Sequence, residues 1–314
     1  MNLAPILVPV YDRHVHFKKC IESLKLNKYA DQSDLFVAID APYKPEHAEK
    51  NQLVIDYAKT ITGFKSVTLF IRPVNWGREN IMTARKEIFK NYDRLIFFED
   101  DNVFSEDFLN FMNNGLEIYK DRTDIFSISG YNYPVNYDAF ANGTYLWQGY
   151  SAWGAGIWRD KWNAVDMNVD SALLSAKKFL KNYNKVYKLN SVANHYLPAL
   201  LLMQEKQKLH GDGFISLHQF LNKMYSVFPA VSRVRNIGHD GSGINCVADE
   251  TEVYSTQEIF KGYSDQSIFD VNIQPDNQSS EILYKHFETT NVAKIKTFIR
   301  LIFHNIGIIK YFKK

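Results

Sequence analysis

The 314-residue sequence predicts an α/β protein with one mostly parallel central sheet flanked by helices. Three observations predict it. Short apolar runs alternate with stretches of helical periodicity, the loops between them are short, and polar or acidic residues gather where the apolar runs end.

The first run, Ile6 to Val10 (ILVPV), suits a buried strand. Pro9 has no amide hydrogen to give a ladder, so the regular strand is expected to end near Val8. Phe17, Cys20, Ile21 and Leu24 then recur at helical spacing. Leu35 to Ile39 is the second run and ends at Asp40. Residues 46–59 read as a helix, Val67 to Ile71 as a third strand, 80–89 as a helix and Arg94 to Phe98 (RLIFF) as a fourth strand. Glu106 to Tyr119 reads as a helix with Phe108, Leu109, Met112 and Leu116 on its apolar face, and Ile125 to Ser129 as another strand. Residues 131–163 are rich in Tyr, Trp, Gly and Asn without a repeat and read as an irregular, substrate-facing region. Residues 171–188 carry five Lys and read as one exposed basic helix. A further helix is expected within 211–226, starting near Asp212, and Gly238 to Gly243 (GHDGSG) reads as a polar loop.

Bulk composition narrows the function. The apolar fraction of 46% fits a substantial core, and a formal net charge of +2 argues against a nucleic-acid partner. Cys20 and Cys246 form no ligand pattern; one disulfide is open to them, and two buried thiols in a reducing compartment is the preferred reading. The first ten residues lack a basic leader and a full apolar run, so no signal peptide is expected. No window reaches the length of a spanning helix. The expected location is the cytoplasm. From Ala293 the chain reads AKIKTFIRLIFHNIGIIKYFKK, with Lys294, Lys296, Arg300, Lys310, Lys313 and Lys314 and no acid. Ile295, Phe298, Ile299, Ile302, Phe303, Ile306 and Ile309 can share one face. A helix lying in an anionic membrane surface, at the inner face of the cell membrane, and a terminal helix docked on the domain are the two readings.

In open α/β sheets ligands bind at the carboxyl ends of the strands. Here those ends carry Tyr11 and Asp12, Asp40, Arg72 with Asn75, and Glu99-Asp100-Asp101. No G-x-G-x-x-G follows the first strand, which removes the dinucleotide reading. Alternation along an extended strand would point Glu99 and Asp101 together and Asp100 away. Three adjacent carboxylates repel, and a hard cation such as Mg²⁺ or Mn²⁺ relieves that, reached through one or two carboxylates plus substrate phosphates. Short acidic runs also occur as solvated loops that cap the next helix.

Four blocks then resemble one family. ILVPVYDRHVHFKKCIESL is similar to the first strand and helix of GT-A glycosyltransferases, in the group that includes eukaryotic N-acetylglucosaminyltransferase I and bacterial polysaccharide transferases. RPVNWGRENIMTARKEIF with DRLIFFEDDNVFSEDFLNFM resembles its central signature, and YLWQGYSAWGAGIWRDKW and VSRVRNIGHDGSG add the third and fourth blocks. The resemblance implies a GT-A catalytic domain over 1–248, with a nucleotide half of about 1–130 and an acceptor half of about 131–248. Residues 249–314 form a C-terminal extension ending in the basic amphipathic helix.

The activity it implies is an inverting, divalent-metal-dependent transfer of a sugar from a nucleotide-diphosphate donor, UDP-sugars favoured, to a glycan or lipid-linked acceptor in surface polysaccharide synthesis. The triplet matches the family's modified DXD motif, with Asp101 as the Mn²⁺ or Mg²⁺ ligand and Glu99 and Asp100 supporting the ribose. Asp40 matches the acid that contacts base or ribose. Val10, Tyr11 and Arg13 border the nucleotide, and Arg72 and Asn75 lie in the loop that approaches the donor.

An inverting transfer also needs a base for the acceptor hydroxyl. Asp212, in HGDGFISLHQFL, is placed where the family starts a short helix near the acceptor; Gly211 stands where the family often has Trp, and an N-cap role remains open for Asp212. Helix-start carboxylates stay ionised, so a base role needs something that raises basicity. His239 matches the C-terminal metal histidine, with diphosphate binding or loop structure as alternatives. Asp240 is a weaker contender, and Arg233 and Arg235 are either phosphate partners or solvated. Of Trp147, Tyr150, Trp153 and Trp158, at least two are expected in the core and at least one at the pocket, with Trp153 on the donor. Two other classes compete: nucleotidyl transfer, which lacks its glycine-rich loop here, and a non-catalytic carbohydrate- or membrane-surface-binding protein.

Overall fold

A computed structural model describes residues 2–136, 140, 143–242 and 253–308. The N-terminal part alternates strand and helix: β1 (Ile6–Val10), α1 (His14–Lys25), β2 (Asp34–Ile39), α2 (Ala48–Ala58), β3 (Ser66–Ile71), α3 (Arg78–Ile88) and β4 (Arg94–Phe97). β1 pairs in parallel with β2 and β4, and β2 with β3. β1 runs through Pro9 to Val10, beyond the expected end. Its even-numbered residues face β2, where the Val10 carbonyl accepts from Asp40, and its odd-numbered residues face β4. β4 pairs only as far as Leu7, so Pro9 points its missing amide where no ladder partner stands.

A short strand β5 (Asn102–Phe104) and α4 (Phe108–Ile118) lead to β6 (Ile125–Ser129). The aromatic region then corrects the irregular reading. It contains β7 (Thr144–Trp147) and β8 (Ala155–Trp158), both fully buried, and α5 (Arg159–Asn163). β8 is antiparallel to β4 on one side and to β6 on the other. The single basic helix becomes two, α6 (Val169–Leu180) and α7 (Tyr183–Asn190), because Asn182 caps the second of them. After α8 (Tyr196–Lys206) and α9 (Gly211–Asn222), β9 (Tyr225–Pro229) joins β6 in parallel and β7 antiparallel. β10 (Val234–Asn236) pairs antiparallel with β5 outside the main sheet.

The eight-stranded order is β3-β2-β1-β4-β8-β6-β9-β7. The sheet is parallel across its first four strands and mixed beyond them. One mixed, largely parallel sheet with helices on both faces is the α/β architecture expected from the sequence. Alternation divides the core between the faces. Leu7, Leu95 and Phe97 pack with Ala84 and Ile88 of α3, Trp162 of α5 and the α6–α8 helices. Ile6, Val8, Ile96 and Phe98 pack with Phe17 and Ile21 of α1, Val54 of α2 and Met112 of α4. With its strands apolar on both faces, the sheet can place charged groups only at strand ends.

The C-terminal residues add α10 (Val253–Thr256), α11 (Asn277–His286) and α12 (Asn291–Asn305). α12 docks: Leu301 is fully buried, and Arg300 donates to Glu205 of α8 through Nε at 2.6 Å and through Nη2. Its other side leaves Val292, Ile295, Ile299, Ile302 and Ile306 exposed at alternating spacings of three and four. No helix among the described residues is long and apolar enough to cross a membrane. Cys20 is buried as a free thiol, while Cys246, the domain boundary at 248 and the tail from 309 lie outside the described residues.

Candidate active site

The carboxyl ends of β1 to β4 form one polar edge. Asn51 of α2 ties two of them together, donating to the Tyr11 carbonyl at 2.6 Å and to the Asp40 carbonyl at 2.8 Å. The Tyr11 hydroxyl accepts from the Tyr43 amide and lies 2.7 Å from His47 Nδ1. Val10 is buried beneath this edge and offers it only backbone. The Asp40 carboxylate accepts from the amides of Ala41, Trp76 and Gly77 at 3.0, 2.8 and 2.6 Å. Both its oxygens therefore serve to fold the β3–α3 loop. That loop carries Arg72, which donates to Asn80 Oδ1 at 2.7 Å and stacks on Trp76 at 4.5 Å. Asn75 donates to the Ala41 carbonyl at 2.7 Å, and the Trp76 ring is left exposed above it.

The acidic triplet does not follow strand alternation. β4 ends at Phe97, and the Asn102 amide donates to the Glu99 carbonyl, so Glu99 to Asn102 is a turn. The turn sends Asp100 and Asp101 to one side and Glu99 to the other. Arg13 Nη2 donates to Asp100 Oδ1 at 2.6 Å and to Asp101 Oδ2 at 2.5 Å. Asp101 Oδ1 accepts from Asn236 Nδ2 at 2.9 Å and Asn102 Nδ2 at 3.3 Å. Burial of Arg13 works to lower its pKa, but Asp100 and Asp101 outweigh it and hold the guanidinium charged. Burial pushes Asp100 up to about 6 against the pull of Arg13. Glu99 instead accepts from Trp153 Nε1 at 3.0 Å. Burial first, then Asp101, Asp212 and Asp100, raise Glu99 to about 8.

His239 reaches this centre through Asn236. The Asn236 Oδ1 accepts from the Gly238 amide at 2.8 Å and lies 3.1 Å from His239 Nδ1. The His239 ring stacks on Tyr254 at 4.6 Å and meets the edge of Trp153. A proton on Nδ1 satisfies Asn236 and leaves Nε2 with its lone pair. Pairing of β10 with β5 sets Asn236 opposite Asn102, and the Ile237 amide donates to the Asp101 carbonyl at 2.9 Å. Asn236 is thus the hub that sequence reasoning missed; an Asn in RNIGHDG reads as turn chemistry, and only the β5–β10 register singles it out.

Asp212 comes from the other side of the edge. It is the second residue of α9 and does not cap it; His210 is the N-cap, its Nδ1 accepting from the Gly213 amide at 3.2 Å. Burial pushes Asp212 up to about 6 despite His210, the Ala152 amide and Arg85, which supplies the basicity that a helix-start acid lacks. Asp212 accepts at the Ala152 amide, one residue from Trp153, whose ring holds Glu99, and its charge helps raise Glu99. Burial raises the Tyr150 hydroxyl, with Asp212 and Glu99 adding to the rise and Arg85 opposing it. Arg85, buried between the rings of Trp162 at 3.8 Å and Phe97 at 4.6 Å, is a second functional candidate that the sequence did not reveal. Trp147, Tyr150 and Trp158 are buried, and Trp153 is half-exposed beside Glu99.

Other candidates fall elsewhere. Arg233 is buried against Asp107 at 3.5 Å and stacks on Phe111 and Phe260. Arg235 donates to the Gln257 carbonyl at 2.6 Å. Asp240 pairs with His16 at 3.0 Å. A hollow of about 870 Å³ lined by Arg78, Met82, Lys86, Trp162 and Asp166 lies along α3 and contains none of the triplet.

Among the described residues no group of three or more His, Cys, Asp or Glu side chains is arranged around a common metal position. The donor chemistry at Asp100 and Asp101 nevertheless fits a hard divalent ion. Two carboxylates face one side of a turn, and a diphosphate would complete an oxygen shell. At present the cation beside them is Arg13.

No family model matches the chain, and no curated protein matches it. Several solved structures are similar at low identity. Residues 1–349 of Staphylococcus aureus TarS match with 12% identity over 74% of this chain and 59% of that one, TM-score 0.41. A longer S. aureus TarS structure matches over 43% of this chain and 27% of its own, with 12% identity and TM-score 0.30. The chain thus spans less than two thirds of either TarS structure. The galactosyltransferase LgtC with donor and acceptor sugar analogs matches with 11% identity over 93% and 99% of the two chains, TM-score 0.36.

Proposed function

We propose that this chain is an inverting glycosyltransferase that moves a sugar from a nucleotide-diphosphate donor, UDP-sugars favoured, to a glycan or lipid-linked acceptor. One observation carries the reading: Asp212, a carboxylate raised by burial at the Ala152 amide, acts on Glu99, which Trp153 holds, while Asp100 and Asp101 meet Arg13 from the same turn. The nucleotide lies along the Tyr11, Asp40 and Arg72–Asn75 edge, where Trp76 offers an exposed ring to the base. Its diphosphate meets Arg13 at the start of α1, where free helix amides favour anions.

The acceptor hydroxyl attacks the anomeric carbon while Asp212 takes its proton. The bond from that carbon to the phosphate oxygen breaks, and the nucleoside diphosphate leaves with the electron pair. Arg13 opposes the charge that develops there. Glu99, held by Trp153, supports the donor beside Asp100. When bound, Mg²⁺ or Mn²⁺ would be held by Asp101, with His239 nearby, and would supply further neutralisation of the leaving group. Asp101→Asn is expected to abolish transfer and leave the fold intact. The check is a screen of the purified protein against UDP-, GDP-, CMP- and dTDP-sugars with Mn²⁺, reading thermal stabilisation and product. Normal turnover by the variant would remove Asp101 from the mechanism, and no stabilisation by any donor would remove the glycosyltransferase reading.

The exposed stripe of α12 is proposed to lie on an anionic membrane surface at the cytoplasmic face, beside a lipid-linked acceptor. Deleting residues 293–314 would also remove Leu301 and the Arg300–Glu205 pair, so substitution is the cleaner probe. A double variant, Ile299→Ser and Ile302→Ser, should lose flotation with vesicles rich in acidic phospholipid while keeping transfer to a soluble acceptor. Undiminished flotation would show that another surface makes the contact.

A further inference from the structure

We propose that Arg13 is the resident counter-cation of the Asp100–Asp101 pair and makes divalent-metal binding conditional on the nucleotide. The inference rests on the site reading above. Asp101 is 2% exposed, and an unpaired carboxylate there would be costly. Its oxygens are all engaged by donors: Oδ2 by Arg13, Oδ1 by Asn236 and Asn102. A guanidinium nitrogen 2.5 Å from Oδ2 and a divalent ion at coordination distance from the same oxygen would bring two positive charges into contact. Arg13 must therefore release Asp101 before an ion can take Oδ2.

The surroundings restrict how it does so. A Cβ on Gly238 would stand 2.9 Å from Arg13 Nη1, so the Gly238 backbone closes one side of the guanidinium. Asp240, the nearest alternative acid on that loop, is engaged by His16. Among the described residues the side chain of Arg13 makes hydrogen bonds only from Nη2. Among the described residues Nε of Arg13, away from the Gly238 side, has no partner and can meet an incoming anion at the β1–α1 turn. A diphosphate there offers Arg13 a replacement partner and simultaneously supplies oxygens to the ion. The nucleotide therefore binds before the metal or together with it, and the metal alone binds weakly.

The test measures Mn²⁺ binding to the full chain by electron paramagnetic resonance of free Mn²⁺, without nucleotide and with UDP, subtracting the UDP–Mn²⁺ complex formed without protein. Arg13→Gln should bind Mn²⁺ without nucleotide at least about tenfold more tightly than the native chain, and UDP should then add less than it does for the native chain. Arg13→Met removes the charge from a side chain of similar reach, and it is judged by the same criterion if the glutamine variant fails to melt cooperatively. Equal Mn²⁺ affinity of native and variant chains without nucleotide would overturn the proposal. The nucleotide-free titration needs no donor, so it reads Arg13 even if glycosyl transfer is never detected.

Discussion

Replacing Asp212 with asparagine is expected to slow glycosyl transfer by about 10²–10⁴-fold, the range a general base contributes, with nucleotide affinity unchanged. The expectation follows from position. Asp212 lies on α9, at the Ala152 amide, and none of the hydrogen bonds of Arg13, Asp40, Arg72 or Asn75 involves it. The amide cannot accept the acceptor's proton, but it fills the same space and leaves His210 free to cap the helix. Initial rates and nucleotide titration on the same preparation separate the outcomes. Equal loss of both would make Asp212 a structural residue.

The pH profile supplies a second reading of the same residue. Asp212 must be ionised to act as base, and burial raises it to about 6. Transfer by the native chain should therefore increase with pH through about 6 and then level, rather than being flat from pH 5 as an exposed aspartate would give. The groups facing Asp212 set where this limb falls: burial pushes it up, while His210, the Ala152 amide and Arg85 pull it down. A limb below pH 5 would mean that Asp212 is solvated in the working enzyme.

The parts of the fold legible in the sequence are those where one period dominates. β1, β2, β3, β4 and β6 are apolar runs closed by polar residues, and their order with intervening helices was readable. β7 and β8 were not. Each has only four residues, and TYLW and AGIW are buried on both faces, so neither shows alternation. β9 and β10 likewise owe their existence to partners distant in sequence. The site shows the same division. The strand-end location of the triplet was legible because it directly follows RLIFF. The orientation of its members was not, because it depends on the strand stopping at Phe97, and chain contacts fix that point. Arg13 was placed near the nucleotide by resemblance, but its grip on both carboxylates needed three-dimensional proximity.

The second large effect is expected at Gly238, where one added methyl group should disable the site without a change of charge. A Cβ at this position would stand 1.9 Å from Asp101 Oδ2 and 2.7 Å from its Cγ, as well as against Arg13 Nη1. The glycine is required for space. Neither neighbour can move aside freely: Asp101 is held by Arg13, Asn236 and Asn102, and the Gly238 amide is held by Asn236. Overpacking of this kind costs about 1–3 kcal/mol, which a domain of ordinary stability survives. The strain falls on the carboxylate–guanidinium contact that meets the diphosphate, so Gly238→Ala should weaken nucleotide binding by about 5–150-fold, the ratio that energy sets. Gly211→Ala is the control, since a Cβ there meets nothing within 4 Å. It should bind nucleotide normally and melt at the native temperature or slightly above, because alanine suits a helix better than glycine. Retained nucleotide affinity in Gly238→Ala, with a lowered melting temperature, would place the Arg13–Asp101 contact outside the nucleotide site and leave it a purely structural pair.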